Sequence, residues 1–373
     1  MAGCYIGLMS GTSLDGVDGV LVHDTAAGSA PIHASAHASL PMPAALQREL
    51  LALNQAGDNE LHRAALAANA ISELYADAVM QLLGQAGLKA TDVTAVGAHG
   101  QTVRHRPQEF GSTGYTLQLI NGALLAERSG IDVVCDFRSR DVAAGGQGAP
   151  LVPAFHAACF AQPGTDVAVL NVGGIANLTL LRADGAVQGF DCGPGNVLMD
   201  LWCRRHQGAA FDAGGAWAAG GQVDSVVLER LLSEPYFGRL PPKSTGRDLF
   251  DATWLDSKLA DATAPAQDVM ATLAELTART VVDALRRHAP QTRSLLVCGG
   301  GAHNGHLMSS LARLLGRDAT VRSTADAGLP PQWVEALAFA WLARAHVTRR
   351  SGNVPAVTGA RGPRVLGALY PGR

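Results

Sequence analysis

Short apolar runs alternate along the chain with longer segments in which apolar residues recur every three to four positions. The short runs, which are typical of buried strands, lie at 5–8, 19–22, 93–98, 133–137, 167–172, 178–181 and 295–298. The longer segments predict helices at 61–83, 149–160, 196–205, 269–287, 304–315 and 333–347. Strands that alternate with helices favour an α/β architecture, here with two mixed sheets.

Two strand pairs share one design. The run at 5–8 enters the polar segment SGTSLDGVD and returns at 19–22, and the run at 167–172 enters GGIAN and returns at 178–181. Each pattern predicts a hairpin with a tip of small residues. Gly11 and Gly174 are 174 − 11 = 163 positions apart, about one domain length, which indicates an internal duplication. With a boundary at the glycine-rich stretch 141–148, residues 1–140, completed by C-terminal residues, form the first lobe and residues 141–373 the second.

Composition and charge exclude several classes of protein. The chain has 373 residues, of which 47% are apolar, so disorder is excluded as its main state. A net charge of -3 without a basic run gives no footprint for nucleic acid or for an anionic membrane surface. A signal peptide would require Lys or Arg near the N-terminus, but none precedes Arg48. The apolar stretch 334–347 is too short for a membrane span. We therefore expect a cytoplasmic protein with no nucleic-acid or membrane partner.

The six cysteines are scattered without C-x-x-C spacing. This pattern argues against a zinc site and, in a reducing compartment, against a disulfide framework. The sequence predicts buried thiols.

Four glycine turns follow apolar runs, at Gly11, at Gly173, at the triplet 299–301 and at DCGPGN, 191–196. Glycine lets a backbone approach a ligand closely and present several N–H groups to an anion. For one such turn, a tight turn without a ligand is the simpler explanation, but four together favour phosphate binding. The pair Lys243-Ser244 does not complete a P-loop, because Pro242 stands where that motif requires glycine.

Asp191 is the candidate catalytic carboxylate. It ends a short run, precedes a Gly-Pro-Gly turn and a predicted helix, and suits a general base that takes a proton from an attacking oxygen. The alternative is an Asp that caps the helix starting near Asn196.

Three further polar features stay open between function and structure. Glu335 near the start of the helix at 333–347 is either a ligand contact or compensation of the helix dipole. The segment 97–107, GAHGQTVRHRP, follows a strand and concentrates donors as a sugar site would, although a solvated loop would look similar. Four charged residues follow the strand at 133, and they fit a surface ion-pair network as well as a functional site; they are Asp136, Arg138, Arg140 and Asp141.

Several long blocks resemble the anhydro-N-acetylmuramic acid kinases, and the resemblance runs nearly end to end. The blocks are YIGLMSGTSLDGVD, GAHGQTVRHRP, DFRSRDVAAGGQGAPLVP, LNVGGIANLT, GFDCGPGN, PPKSTGRDLF, CGGGAHN, GNVPAVTGA and VLGALYPG. The resemblance implies a fold like that of hexokinase, actin and the Hsp70 ATPase domain, with two duplicated lobes of the ribonuclease H-like type and an ATP cleft between them.

The same resemblance implies the nucleotide site. The first phosphate loop would comprise Gly11, Thr12, Ser13, Leu14, Asp15, Gly16, Val17 and Asp18, and the second Gly173 and Gly174. The adenosine-side turn would comprise Gly299, Gly300 and Gly301, with Asn304 opening the next helix.

The activity implied by the resemblance is conversion of 1,6-anhydro-N-acetylmuramic acid, ATP and water to N-acetylmuramic acid 6-phosphate and ADP in cell-wall recycling. Asp191 would activate the water, and the released 6-oxygen would attack the γ-phosphate. Glu335 matches a sugar-contacting position, and Gln101 and Arg138 are further candidates for the sugar or its lactyl carboxylate. The family also suggests a homodimer.

Two departures from the wider pattern concern the metal and the base. Met9 and Asn171 stand where the superfamily carries Asp, so we predict no metal ligands from the protein. Mg2+ would sit on ATP phosphates and water, with Asp18 or Asp191 as outer-shell partners. Cys192 stands where we expect Thr, and would make its loop sensitive to oxidation if exposed.

Two rival hypotheses remain at this point. A binding-only sensor that has lost turnover predicts a missing base, whereas Asp191 is present. A kinase that acts on a different sugar would have different residues on the sugar side of the site. The sequence blocks that begin at 97 and 136 match the family and argue against that hypothesis.

Overall fold

The structure is a computed structural model that describes residues 3–11, 14–23, 33–111, 113–246 and 249–372. Contacts divide the chain into two compact units. The first unit comprises Met1–Cys159 with Trp333–Arg373, and the second comprises Phe160–Gln332. The C-terminal residues thus return to the first unit, and the second unit is an insertion in its sequence.

The described strands are β1 (Cys4–Met9), β2 (Gly16–His23), β3 (His33–Pro41), β4 (Ala95–Ala98), β5 (Gln101–Arg106), β6 (Tyr115–Leu119), β7 (Val133–Cys135), β8 (Val167–Val172), β9 (Ile175–Leu181), β10 (Val187–Pro194), β11 (Ser294–Cys298), β12 (Thr320–Ser323) and β13 (Ala368–Tyr370). The described α-helices are α1 (Ala44–Ala52), α2 (Glu60–Ala86), α3 (Gly122–Ser129), α4 (Ser139–Ala143), α5 (Val152–Phe160), α6 (Val197–Gln207), α7 (Ala216–Ala219), α8 (Ser225–Leu232), α9 (Ala252–Leu259), α10 (Ala266–His288), α11 (Gly305–Leu315), α12 (Val334–Val347) and α13 (Pro355–Thr358).

The two units repeat one sheet topology. The first sheet has the order β13-β7-β4-β1-β2-β3 and the second the order β10-β9-β8-β11-β12. In the first sheet, β1 pairs antiparallel with β2 and parallel with β4. In the second sheet, β8 pairs antiparallel with β9 and parallel with β11. Strand β8 begins and ends 163 positions after β1, since 167 − 4 and 172 − 9 both equal 163. The predicted duplication and the mixed α/β class are confirmed.

The six helices predicted from apolar spacing are present as α2, α5, α6, α10, α11 and α12. The prediction for the segment 97–107 was incomplete, because it includes a strand as well as a turn. Residues 101–106 form β5, which pairs with β6 in a separate two-stranded sheet. The sequence QTVRHR has no apolar run, so its strand gives a weak hydrophobic signal.

Helix α12 lies against the first sheet because two glycines leave room for its backbone. Gly7 of β1 and Gly97 of β4 are direct partners in the parallel register. A Cβ at Gly7 would overlap the carbonyl oxygen of Ala336, and one at Gly97 would overlap that of Phe339. Close backbone approach therefore fixes α12, which carries Glu335 in its first turn.

Asp141 joins the stretch 141–148 to the C-terminal segment. Its side chain is fully buried and accepts hydrogen bonds from Gly148 N at 2.8 Å, Asn353 Nδ2 at 2.6 Å and Thr358 Oγ1 at 2.8 Å. The glycine-rich stretch is thus wrapped around a buried carboxylate that belongs to the first unit. Contacts consequently place the boundary at 159/160, later than the position of 140/141 expected from composition.

Five of the six cysteine thiols are buried and Cys159 is partly exposed. Cys192 is 1% exposed, so the condition for an oxidation-sensitive loop is not met. Among the described residues, no helix combines the length and apolar character that crossing a membrane requires.

Candidate active site

Two glycine turns of the second unit meet at the end of β8. Asn196 N donates to Gly173 O at 2.8 Å, and Gly195 N donates to Gly174 O at 2.9 Å. The Asn196 side chain donates to Val172 O at 3.2 Å. The GPGN turn therefore lies directly on the tip of the β8–β9 hairpin.

The glycine triplet lies at the same place. Gly299 has a φ of 77°, and a Cβ there would overlap the side chain of Asn171. A Cβ at Gly301 would overlap the side chain of Val172. Three of the four glycine turns in the sequence thus converge on one end of β8, and close packing at that point explains part of the glycine pattern.

Asn304 begins the helix after the triplet, as predicted. Its side chain accepts a hydrogen bond from Leu307 N at 2.9 Å, which is the geometry of an N-cap for α11. Its part in nucleotide binding stays a prediction.

A row of polar residues crosses the second sheet beside these turns. Asn171 of β8 is opposite Asn177 of β9, and Asn177 is opposite Asp191 of β10. Directly opposed residues lie on the same face of a sheet, so the register brings the three side chains to one face. Asp191 is the outer member of this row.

Asp191 lies inside β10 and does not end its strand. The strand continues to Pro194 across a register shift between Asp191 and Gly193. Its carboxylate accepts a hydrogen bond from Thr245 N at 3.0 Å. Helix α6 has Asn196 as its N-cap, without a side-chain capping bond, so the interpretation of Asp191 as a helix cap is wrong.

The electrostatics of Asp191 fit a group that exchanges protons. Burial raises the pKa of Asp191 to about 6, against the opposing effects of the Thr245 hydrogen bond and the Lys243 charge. A carboxylate with this pKa is ionised at neutral pH and is basic enough to take a proton in a reaction.

The first loop lies in the first unit, and Thr12 and Ser13 fall outside the described residues. Leu14 and Val17 are buried in the core, so only their backbones are available to a phosphate. Leu14 has a φ of 59°, and its N donates to Gly11 O at 3.2 Å. A Cβ at Gly16 would overlap Leu40 O, so strand packing already requires that glycine. Gly11, Asp15 and Asp18 also remain candidates for phosphate or metal contact.

Gln101 connects the first loop to the candidate sugar residues. It is 2% exposed, and its Nε2 donates to Gly11 O at 3.3 Å. Its buried Oε1 has no hydrogen-bond partner among the described residues. An unpaired buried acceptor is costly, so this oxygen suits a donor from a ligand.

Arg138 and Glu335 act on each other in the same unit. Arg138 donates to Gly148 O at 2.9 Å, and its Nη2 lies 3.0 Å from His99 Nε2. Burial lowers the pKa of Arg138 to about 10, and the charge of Glu335 opposes that change. Burial, and then the charge of Arg138, lower the pKa of His99 well below its usual range, so the neutral imidazole accepts from the guanidinium. The surface ion-pair interpretation of the 136–141 segment is wrong for Arg138 and Asp141.

Sequence reasoning gave no positioning role to five residues that hold the candidates in place. These are His99, Asp141, Tyr236, Lys243 and Thr245. His99, Asp141, Lys243 and Thr245 lie within the quoted sequence blocks, and Tyr236 precedes the block PPKSTGRDLF by five positions. The missing information was the fold, which brings residues 243–245 to Asp191 across more than 50 positions.

Comparison with known proteins decides the family. The model of the family described as anhydro-N-acetylmuramic acid kinase matches residues 3–372. The chain is 64% identical over 371 residues to the anhydro-N-acetylmuramic acid kinase of Bordetella petrii, with 98% of this chain and 96% of the relative covered. It is 59% identical over 379 residues to that of Variovorax paradoxus, with 100% of each covered.

The chain belongs to the anhydro-N-acetylmuramic acid kinase family. It is therefore an enzyme, and the resemblance drawn from the sequence blocks is confirmed.

Solved structures with similar folds are more distant. The activator of the 2-hydroxyisocaproyl-CoA dehydratase from Clostridium difficile with bound ADPNP has a TM-score of 0.48 at 15% identity, with 94% of this chain and 96% of that chain covered. A ROK family glucokinase from Streptomyces griseus in complex with glucose and AMPPNP has a TM-score of 0.42 at 14% identity, with 92% and 99% covered.

The departures noted in the sequence have structural counterparts in this member of the anhydro-N-acetylmuramic acid kinase family. Met9 ends β1 opposite Asp18, and Asn171 is buried beside Cys298. Asp18 Oδ1 lies 3.5 Å from His37 Nε2. Within the described ranges, no group of three or more His, Cys, Asp or Glu side chains is placed to hold a metal ion.

Proposed function

We propose that this kinase converts 1,6-anhydro-N-acetylmuramic acid, ATP and water to N-acetylmuramic acid 6-phosphate and ADP. The relatives at 59–64% identity carry the name of that activity, and the family model spans nearly the whole chain. The observation that carries the proposal at the level of residues is Asp191, a partly buried carboxylate with a pKa near 6 beside three glycine turns.

Asp191 acts as the general base for ring opening. Its carboxylate takes a proton from water, the water oxygen attacks the anomeric carbon, and the bond from that carbon to the 6-oxygen breaks. The released 6-oxygen then attacks the γ-phosphorus, and ADP leaves with the electrons of the broken phosphoanhydride bond. Because the 6-oxygen becomes a nucleophile only after Asp191 has taken the proton of water, one carboxylate controls both halves of the reaction.

Gln101, Arg138 and Glu335 hold the sugar. The unpaired Oε1 of Gln101 accepts from a hydroxyl or an amide N–H of the substrate. Arg138 supplies a guanidinium suited to the lactyl carboxylate, since guanidinium and carboxylate form paired hydrogen bonds. Glu335, whose charge acts on Arg138, accepts from sugar hydroxyl or amide groups.

ATP is bound by the two loops and by the triplet. The backbone N–H groups from Gly11 to Asp18 and at Gly173 and Gly174 receive the phosphates, and the turn from Gly299 to Asn304 receives the adenosine. Mg2+ neutralises phosphate charge when it is bound. The available oxygen donors, Asp18 and Asp191, suit contact through water, in keeping with the few protein ligands that Mg2+ takes.

Two properties of the protein complete the proposal. A cytoplasmic location follows from the use of ATP and of a recycled sugar. The homodimer rests on the family resemblance alone, and light scattering coupled to gel filtration would test it by mass.

Isotope labelling tests the reaction. The protein is incubated with 1,6-anhydro-N-acetylmuramic acid, ATP and Mg2+ in oxygen-18 water, and ADP and the sugar product are analysed by mass spectrometry. We expect one heavy oxygen at the anomeric centre and a phosphate on the 6-oxygen. ADP without a sugar phosphate would indicate an ATPase, and sugar binding without turnover would indicate a sensor; either result contradicts the proposal.

A further inference from the structure

The segment 243–245 bonds both the main chain and the side chain of Asp191. Asp191 N donates to Lys243 O at 3.2 Å, and Thr245 N donates to Asp191 Oδ2 at 3.0 Å. The hydroxyl of Tyr236, in the turn Pro235–Gly238, donates to Asp191 O at 2.9 Å. The Thr245 bond orients the carboxylate, and the other two bonds hold the main chain that carries it.

The Lys243 ammonium group is fixed by the same turn. Its Nζ donates to Tyr236 O and to Phe237 O, both at 3.4 Å, and lies 4.7 Å from the centre of the Tyr236 ring. Tyr236 therefore holds the backbone of Asp191 with its hydroxyl and the cation of Lys243 with its carbonyl and ring.

Burial and the charge of Lys243 act in opposite directions on the pKa of Asp191. Burial raises the pKa of Asp191, and the Lys243 charge lowers it. Burial also raises the pKa of Cys192 and of Tyr236, so both groups are neutral at physiological pH. The remaining titratable and charged groups act on Lys243; they are Arg239 after the turn and Arg287 and His288 at the end of α10.

We propose that Lys243 is a positioning residue that keeps the Asp191 side chain as an oriented carboxylate, ready to accept the proton of water. A buried carboxyl group favours its neutral form, which is too weak a base to take a proton from water, and a fixed cation favours the ionised form. The inference rests on the proposed role of Asp191. It adds a reason for the lysine in PPKSTGRDLF that does not involve contact with the nucleotide.

The pH profile of kcat/KM tests the proposal. Wild type is compared with Lys243→Met, with Lys243→Gln as a second neutral variant and with Lys243→Arg as the conservative variant. Lys258→Met is the matched control, because Lys258 Nζ lies 5.6 Å from the centre of an aromatic ring, that of Trp254, and donates to Ser233, but is not among the groups that shift the pKa of Asp191. Thermal melts show that each variant is folded.

In both neutral variants, we expect the acid limb of the pH profile of kcat/KM to move to higher pH by roughly half a unit to one unit. Loss of the cation favours the protonated carboxyl, so activity is lost earlier as the pH falls. Lys243→Arg and Lys258→Met should keep the wild-type limb.

The outcomes separate the two proposals. An unmoved limb in folded Lys243→Met or Lys243→Gln, with the KM for ATP raised at every pH, would assign Lys243 to phosphate binding and overturn the inference while leaving Asp191 as the base. A wild type that has no acid limb, or an Asp191→Asn variant that retains turnover, would overturn the role of Asp191 and the inference with it.

Discussion

The same row of the sheet has opposite character in the two units. In the first unit, Leu8 is opposite Gly19, which is opposite Ala38, and all three are buried and apolar or without a side chain. In the second unit the equivalent row, one position before the end of the first strand, consists of Asn171, Asn177 and Asp191. One topology thus carries packing in one copy and polar chemistry in the other.

The positions of the closely packed glycines differ between the two units as well. In the first unit, α12 approaches so closely that Gly7 and Gly97 admit no side chain. In the second unit the glycines lie in turns around the end of β8 instead. Close packing thus fixes the helix that carries Glu335 in the first unit, while the polar row of the second unit carries Asp191, the proposed base.

The largest expected effect is on turnover. Asp191→Asn keeps the size of the side chain but removes the proton acceptor, so we expect kcat to fall by about 10²–10⁴-fold. Affinity for ATP, measured by calorimetry, should change by only a few fold. Asp261→Asn, an exposed change in the same unit, is the control and should keep wild-type kcat. Wild-type turnover by Asp191→Asn would remove the chemical contrast between the two rows.

The next effect concerns the support in the first unit. Gly7→Ala forces α12 away from the sheet, and we expect a loss of about 3 kcal/mol in the free energy of unfolding. Gly84→Ala is the control, because Gly84 lies exposed in α2 with nothing near its Cβ position, and it should stabilise by about 0.5–1 kcal/mol. Urea unfolding measures both. Equal stabilities would contradict the close approach of α12.

Asp141→Asn should have a smaller effect on stability. The amide leaves the donor Gly148 N facing another donor, and we expect a loss of about 2 kcal/mol in the free energy of unfolding. Asp136→Asn, an exposed change in the same segment, should cost little. If the two variants melt alike, Asp141 does not stabilise the link between the stretch 141–148 and the C-terminal segment.

Glu335→Gln gives the smallest effect and separates binding from chemistry. Loss of a charged acceptor should raise the KM for the sugar by about tenfold, while kcat and the KM for ATP change little. Glu127→Gln, an exposed change in the first unit, should leave all three constants unchanged. A fall in kcat comparable to that of Asp191→Asn would show that the first unit shares in the chemistry.

Much of this arrangement follows from local sequence pattern. Buried apolar runs predicted β1 and β8, and apolar spacing predicted helices such as α2 and α10, because burial on one or both faces leaves a periodic signal. The glycine turns, and Asp191 beside one of them, were found because glycine after a strand indicates a turn in which the backbone can approach a ligand closely. The blocks shared with the family supplied the activity.

The rest depends on contacts between distant residues. Asp141 bonds Asn353 and Thr358 more than 200 positions away, and Asp191 bonds Thr245 more than 50 positions away. The glycine-rich composition of the stretch 141–148 therefore predicted a boundary between lobes, although these glycines surround a buried carboxylate. The strand β5 was missed because its residues alternate without an apolar run.

The central claim is that one carboxylate, Asp191, serves both ring opening and phosphoryl transfer. The most direct measurement is a single turnover of wild type and Asp191→Asn with excess enzyme in oxygen-18 water, in which ring-opened sugar and ADP are quantified from the same quenched samples. We expect both products to form at the same rate in wild type and to slow together in the variant. A variant that opens the ring without forming ADP, or releases ADP at the wild-type rate without opening the ring, would contradict it.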